Sequence, residues 1–132
     1  MKVTPELITE LKENEIFVFG SNESGRHGKG AAKTAMKWGA IYGQANGLQG
    51  KTYGIPTVNS SISNKLRIER VKYYVDQFYY FAKENKQLTF LVTEIGCGLA
   101  GFTYKEIAPL FIDCLELDNV YLPKRFIQII KE

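Results

Sequence analysis

The sequence predicts an α/β domain in three layers, with helices on both faces of a mostly parallel sheet. The first observation behind this prediction is an alternation of apolar, strand-like runs with helix-like stretches in the order α-β-α-β-α-β-α-β. Alternation of this kind is typical of parallel sheets joined by crossover helices. The second observation is that 132 residues, 45% hydrophobic and 23% charged, suit one globular domain. We therefore expect a single domain over residues 1–132.

The chain begins with a predicted helix and a predicted strand. Thr4 is a favourable N-cap, Pro5 suits the first helical position, and Leu7, Ile8 and Leu11 give the helix an apolar stripe. Residues 15–20 form a short apolar run between turn residues, which predicts a buried strand.

The middle of the chain is predicted to hold two helices around one strand. Residues 30–38 are rich in small side chains and predict a helix, whereas residues 39–51 carry four glycines and predict a loop. Residues 52–57 predict a strand with a proline near its end. In residues 65–85 the apolar side chains step by three and four, which predicts the longest helix.

The last third begins with a continuous apolar run at residues 88–95, which predicts a strand inside the sheet. Thr103 and Glu106 match a capping box and predict a helix start. Residues 119–123 predict a final strand, and residues 125–130 form a tail element whose type the pattern leaves open.

Composition also limits the function classes. The net charge of +3 is compatible with an anionic ligand but is too small to indicate a nucleic-acid platform by itself. Two cysteines do not make a disulfide framework, the N-terminus lacks the apolar run of a signal peptide, and no stretch approaches a membrane span. These features predict a reduced, cytoplasmic protein without a membrane partner; the oligomeric state stays open.

Two glycine-rich turns carry the functional prediction. The first turn, residues 20–30, follows the strand at 15–20 and opens the helix at 30–38. The second turn, residues 96–102, follows the strand at 88–95. A strand that runs through glycines into a helix start exposes backbone N–H donors, which attract anions. Both turns lie at the carboxyl ends of strands, so they can share one crevice and hold a diphosphate.

The second turn also has the spacing G-x-G-x-x-G, at Gly96, Gly98 and Gly101. This spacing is typical of dinucleotide-binding dehydrogenase domains, where it lies in the first βαβ unit. Only about thirty residues follow it here, which is too few for the remaining strands, so we reject that interpretation. A tight structural turn remains the alternative to an anion-binding loop.

Three side chains near the turns are candidates for catalysis, each with a structural alternative. Asn22 can bind a ribose hydroxyl or orient a water, or it can simply occupy a turn. Glu94 can bind ribose or activate water, or it can pair with a lysine. His27 can contact phosphate or transfer a proton, although a solvent-exposed loop histidine is the favoured interpretation.

Other residues of the turns have similar alternatives. Cys97 could act as a nucleophile, but a small side chain that fills space is favoured because His27 is the single available base. Phe102 could pack against a ribose or a base, or belong to the core. Arg26 and Lys29 suit phosphate. One histidine and two separated cysteines provide no zinc site, so no metal is expected.

Together, the two turns resemble those of macro domains, the ADP-ribose-binding family. Asn22 with Gly28-Lys29-Gly30-Ala31-Ala32 is similar to the first motif of that family, and Ile95-Gly96-Cys97-Gly98-Leu99-Ala100-Gly101-Phe102 is similar to its diphosphate loop. The order and length of the elements agree with the family over most of the chain.

The resemblance implies a three-layer α/β/α fold, binding of ADP-ribose or a related nucleotide, and in some members hydrolysis of ADP-ribosyl groups without a metal or other cofactor. Asn22 would then meet the distal ribose, and the turns would hold the diphosphate from both sides. The expected ligand contacts are Gly20, Ser21, Asn22, Gly28, Lys29, Gly30, Ala31, Gly96, Cys97, Gly98, Leu99, Ala100, Gly101 and Phe102. The expected catalytic side chains are Asn22, Glu94 and His27.

The chain departs from the family pattern in three places, the first of which is the first glycine motif, where it has His27 and Lys29 and many relatives have smaller residues. One branch of the family has a catalytic aspartate where this chain has Ala100, and the early acidic residue that contacts adenine has no clear equivalent here. Two hypotheses follow. The protein binds ADP-ribose, as an enzyme or as a binding module, or it is a non-catalytic nucleic-acid-associated or scaffold protein with the same fold.

Overall fold

The structure is a computed structural model that describes residues 2–132. Five strands form one sheet in the order β2-β3-β1-β4-β5. The strands are β1 (Glu15–Asn22), β2 (Gly47–Gln49), β3 (Thr52–Val58), β4 (Thr89–Val92) and β5 (Val120–Tyr121). All neighbours are parallel except β2 and β3, which are antiparallel. The predicted mostly parallel sheet is confirmed.

Four α-helices cover the sheet: α1 (Gly30–Ala35), α2 (Ile68–Glu84), α3 (Tyr104–Ile107) and α4 (Lys124–Ile130). The first continues as a 3₁₀ turn over Met36–Trp38, and the third continues as a 3₁₀ segment over Ala108–Glu116. The predicted capping box is present at the start of α3. The Thr103 hydroxyl accepts from the Glu106 amide, and the Glu106 carboxylate accepts from the Thr103 amide.

Two cores lie on opposite faces of the sheet. Along β1, Ile16 and Val18 point into the larger core with α2, α3 and α4, whereas Phe17 and Phe19 point into a smaller core with α1. The period-two alternation of strand side chains explains this division. The architecture is therefore a three-layer α/β/α fold, as the sequence predicts.

The predicted N-terminal helix is wrong. Residues 4–12 have no helical hydrogen bonding; instead Val3 bridges Leu122, and the segment crosses the face of the sheet that carries α1. Leu7, one of its predicted core positions, is 80% exposed. A helix of about eight residues is marginal unless its apolar face is packed, so favourable capping residues could not stabilise it here.

The segment between α1 and β3 is only partly a loop. Gly47–Gln49 forms the antiparallel edge strand β2, which pairs with β3 from Thr52 to Gly54 and no further. Pro56 therefore lies beyond the end of β2, where its missing N–H removes no hydrogen bond to that neighbour. The tail that the sequence left open is a helix, α4, whose Phe126 and Ile127 are buried.

Candidate functional site

The two glycine turns meet at the carboxyl edge of the sheet because β1 and β4 are neighbouring parallel strands. A Cβ atom on Gly20 would lie 3.3 Å from the backbone nitrogen of Gly96, and one on Gly30 would lie 3.4 Å from Cδ1 of Leu99. The two turns therefore approach each other closely at two places. The Leu99 side chain, which is 78% exposed, lies over the second of these places, beside Gly30.

The first turn presents a row of free backbone donors. Within residues 2–132, no backbone or side-chain acceptor binds the N–H groups of residues 28–32. Gly28 is exposed and has no heavy atom within 4 Å of its Cβ position, so a ligand can approach its backbone closely. Since α1 is only six residues long, these N–H groups, rather than a long helix dipole, provide the attraction for an anion.

The second turn presents a shorter row of the same kind. Gly96 and Gly101 have φ angles of +78° and +87°, and the amide of Gly101 donates to the carbonyl of Gly98. In the described part of the chain, the N–H groups of residues 98–100 have no acceptor. Each turn therefore leaves three or more consecutive donors available to an anionic group.

The side chain of Asn22 holds the first turn together. Its amide nitrogen donates to the carbonyl of Arg26 at 2.8 Å, and its oxygen accepts from the amide of Arg26 and the hydroxyl of Ser24. Asn22 is the last residue of β1 and its φ is not positive, so it does not itself take a left-handed turn conformation; its side chain stabilises the turn that follows. The neighbouring Ser21 is buried, and its hydroxyl donates to the carbonyl of Ala45 at 2.6 Å.

The expectation that His27 is solvent-exposed is wrong, since the side chain is only 1% exposed. Its Nε2 lies 3.0 Å from the carbonyl oxygen of Gln44 and 3.2 Å from Oε1 of Gln49. Because both neighbours are acceptors, Nε2 carries the proton and donates. Gln49 also accepts from the amide of Ile41, so this buried network fastens the first turn to the segment before β3. The burial of His27 could not be predicted from its glycine-rich neighbours, because the residues that cover it come from the segment at 41–49.

Glu94 remains the exposed candidate for proton transfer. No lysine or arginine of residues 2–132 lies within 4 Å of its carboxylate; instead Oε1 accepts from the Tyr104 hydroxyl at 3.2 Å. The guanidinium of Arg125 lies 5.0 Å from the Tyr104 ring centre. Burial, followed by the charge of Glu94, raises the pKa of Tyr104, so this phenol is a neutral hydrogen-bond donor. The sequence analysis did not identify Tyr104 as the partner of Glu94, or Arg125 as the neighbour of Tyr104, although Tyr104 directly follows the predicted N-cap.

The remaining candidates in the second turn serve mainly in packing. Burial, followed by the charges of Glu94 and Glu106, raises the pKa of the Cys97 thiol to about 11, which disfavours the thiolate that a nucleophile needs. Phe102 is 5% exposed and belongs to the larger core, and the ammonium group of Lys65 lies 4.8 Å from its ring centre. Within the described residues, no cluster of His, Cys, Asp and Glu could hold a metal ion.

A side cavity of about 730 Å³ opens beside the turns, on the face of the sheet that carries α1. Of the predicted ligand and catalytic residues, Ala31 and Glu94 line it. Its other walls come from the N-terminal segment, β1, α1, the end of β4 and α4, namely Val3, Thr4, Pro5, Glu6, Leu7, Ile8, Phe17, Thr34, Val92, Thr93, Pro123, Lys124, Arg125 and Gln128. The side cavity therefore adjoins the turns and does not lie between them.

A hydrogen-bonded group of Glu23, Arg70 and Tyr74, which the sequence did not indicate, connects the first turn to α2. Oε2 of Glu23 accepts from Nε of Arg70 at 2.6 Å and from the Tyr74 hydroxyl at 2.7 Å. Burial raises the pKa of Glu23, but the hydrogen bonds from Tyr74 and Arg70 and the charge of Arg70 together lower it below its ordinary value. Glu23 therefore stays ionised and ties the end of β1 to α2.

This carboxylate gives the protein a predictable dependence on acid. A folded-state pKa below the ordinary 4.5 means that ionised Glu23 stabilises the fold above about pH 4.5 and that this contribution disappears as the pH falls through the lowered pKa. We expect Glu23→Gln to lower the free energy of unfolding at pH 7 and to have a progressively smaller effect below pH 4.5. Urea unfolding of both proteins across this range measures the difference, and Glu84→Gln, on the exposed end of α2, is the control. An effect that is independent of pH would contradict the assignment.

Comparisons with known proteins support the fold and leave the function open. No protein-family model matches the chain, and no curated protein matches it. Among solved structures, the chain is similar to a protein of unknown function from Bacteroides thetaiotaomicron, with a TM-score of 0.64 and 16% sequence identity over 87% of this chain and 90% of that one. At this identity the similarity supports the three-layer fold alone. Among the described residues, no helix has the length and apolar character needed to cross a bilayer.

Proposed function

We propose that this protein is a cytoplasmic, macro-like domain that binds ADP-ribose or a related nucleotide diphosphate at its two glycine turns. The observation that carries the proposal is the pair of free donor rows, residues 28–32 and 98–100, which belong to turns in mutual contact. A diphosphate has two anionic groups, and each row can satisfy one of them. Both turns resemble those of macro domains, and this resemblance favours a nucleotide as the carrier of the diphosphate.

In this arrangement the exposed Leu99 side chain moves aside to admit the diphosphate or folds over it. The rest of the nucleotide extends into the side cavity, whose volume of about 730 Å³ is in the range of small-molecule sites. Lys29 and Arg26 add positive charge at the first turn. Asn22 and His27 act by holding the turn in shape, because the side-chain amide of Asn22 and Nε2 of His27 bond to neighbouring protein groups.

A thermal-shift and calorimetry panel with ADP-ribose, ADP and NAD tests binding. A ligand that binds only the folded protein stabilises it by about 2.7 kcal/mol at a hundredfold excess over its dissociation constant, so a rise in Tm is expected with ADP-ribose. A protein that shows neither heat of binding nor a shift with any of the three ligands would refute the proposal.

Hydrolysis is the enzymatic form of the same proposal. Glu94 accepts a proton from a water whose oxygen bonds to the anomeric carbon of the ADP-ribosyl group, the bond from that carbon to the carrier side chain breaks, and the released side chain takes a proton from solvent. Release of ADP-ribose from a modified protein, followed by chromatography, measures it. If Glu94→Gln binds ADP-ribose normally and the wild type releases no more than this variant, the protein is a binding module. Tyr104→Phe is the matched positioning variant, because it removes the hydrogen bond to Glu94 and keeps the ring under Arg125.

A further inference from the structure

The charged residues are distributed very unevenly along this chain. Residues 24–68 contain seven of the 17 lysines and arginines and none of the 14 aspartates and glutamates. This acid-free stretch therefore carries a formal charge of +7 and the rest of the chain carries −4. The small net charge of +3 conceals a strong asymmetry, of the kind that accompanies binding to polyanions.

Part of this charge forms a row on α1 and its 3₁₀ extension. Lys29 at the N-cap, Lys33 in α1 and Lys37 in the 3₁₀ extension are all exposed and recur at every fourth residue. Four residues advance about 6 Å along an α-helix and about 8 Å along a 3₁₀-helix, so the spacing suits a row of charges along this element. The row begins within the first turn, so it continues directly from the free donors of residues 28–32.

In the part of the chain that the structure describes, no carboxylate forms an ion pair with the row. The ion pairs within 4 Å among residues 2–132 are Lys2–Asp118, Arg70–Glu23 and Lys72–Asp76. The N-terminal segment packs on the same layer through Ile8 and Leu11, and it carries Glu6, Glu10 and Glu13, but none of these carboxylates pairs with the row. The three ammonium groups have no carboxylate within 4 Å among the described residues, so they remain available to an external polyanion.

Aromatic side chains accompany these cations. Tyr42 is 60% exposed, and its ring centre lies 6.3 Å from that of His27, so it borders the first turn. The ammonium group of Lys37 lies 4.9 Å from the Trp38 ring centre. Cations for the backbone together with aromatic rings for the bases are typical of surfaces that bind single-stranded nucleic acid. A membrane surface fits less well, because α1 has only six residues and presents no broad apolar face to solvent.

We propose that Lys29, Lys33, Lys37 and Tyr42 form a binding surface for single-stranded nucleic acid. The phosphate backbone lies along α1 and approaches the first glycine turn, and Tyr42 stacks on a base. This surface goes beyond the proposed nucleotide site and does not depend on what the turns hold.

Fluorescence anisotropy with a labelled single-stranded DNA of about 12 nucleotides tests the charges. In Lys33→Gln/Lys37→Gln, affinity at 0.1 M salt is expected to fall on the order of tenfold, and the slope of log affinity against log salt to become shallower by about 1.4, which corresponds to two phosphates. Lys86→Gln/Lys131→Gln removes the same charge from exposed positions outside the acid-free stretch and is expected to change affinity less than about twofold.

Tyr42→Ala tests stacking and is expected to weaken binding by about fivefold or more with an unchanged salt slope. Tyr80→Ala is the matched control, because Tyr80 is 62% exposed on α2. The inference would be overturned if the protein did not bind the DNA at 0.1 M salt, or if both lysine pairs lost the same affinity. Equal affinity for polyglutamate or for phosphatidylserine vesicles would overturn it as well. Calorimetry with ADP-ribose on the same samples separates the two proposals, since oligonucleotide binding without ADP-ribose binding refutes only the nucleotide site.

Discussion

Gly98→Glu is expected to weaken nucleotide binding at least about tenfold while the fold remains intact. Gly98 is exposed, has no heavy atom within 4 Å of its Cβ position, and lies at one end of the donor row formed by residues 98–100. A glutamate there fits sterically, but its carboxylate competes for the donors and repels a diphosphate. Two unit charges about 4 Å apart repel each other by about 1 kcal/mol in water and about 4 kcal/mol near a protein surface, so at least a tenfold loss of affinity is expected.

Calorimetry with ADP-ribose measures this loss, and urea unfolding checks that stability is unchanged. Gly98→Gln is the control, because it has nearly the same shape without the charge and is expected to keep more of the affinity. If the glutamate variant binds as tightly as the wild type, the diphosphate does not lie at the second turn, and the side cavity becomes the place to examine.

Gly25→Ala is expected to cause the largest loss of stability of any substitution considered for the first turn. Gly25 has a φ of +74°, and a Cβ atom there would lie 2.4 Å from the carbonyl carbon of Gly43 and 2.6 Å from the nitrogen of Gln44. These contacts are with backbone, which cannot rotate away. The left-handed conformation and the overpacking each cost about 1–3 kcal/mol, so the free energy of unfolding should fall by about 2–6 kcal/mol.

Urea denaturation measures this change, with Gly28→Ala as the control. Gly28 is in the same turn, but its Cβ position is open and its φ lies outside the left-handed region, so a change of about 0.5 kcal/mol or less is expected. Equal stability of the Gly25→Ala variant and the wild type would show that the segment at 41–49 does not clamp the first turn as described.

Prediction from sequence succeeded where a local pattern and a packing requirement agree. The apolar period of α2 and the capping box at Thr103 both identify elements that are present. The same kind of reasoning failed at residues 4–11, where capping residues favour a helix but nothing packs against Leu7. Capping contributes only about 1 kcal/mol, which does not stabilise a short helix without burial of its apolar face.

The candidate site shows the same division. Because a strand-to-turn glycine pattern is local, the sequence identified both turns. It placed His27 in solvent because the residues that bury this side chain, Gln44 and Gln49, are about twenty positions away in the chain. The partner of Glu94 was also missed, since Tyr104 approaches it only after the second turn has folded back.

The sequence by itself determined the fold class, the two glycine turns and the charge asymmetry of residues 24–68, because each depends on residue order or composition alone. Tertiary structure decided which of these features meet. The parallel pairing of β1 with β4 brings two turns that are about seventy residues apart into contact, and α1 with its N-cap and 3₁₀ extension presents three exposed lysines. Burial and hydrogen bonding then decided that Asn22 and His27 shape the first turn, since both depend on neighbours that only the folded chain supplies.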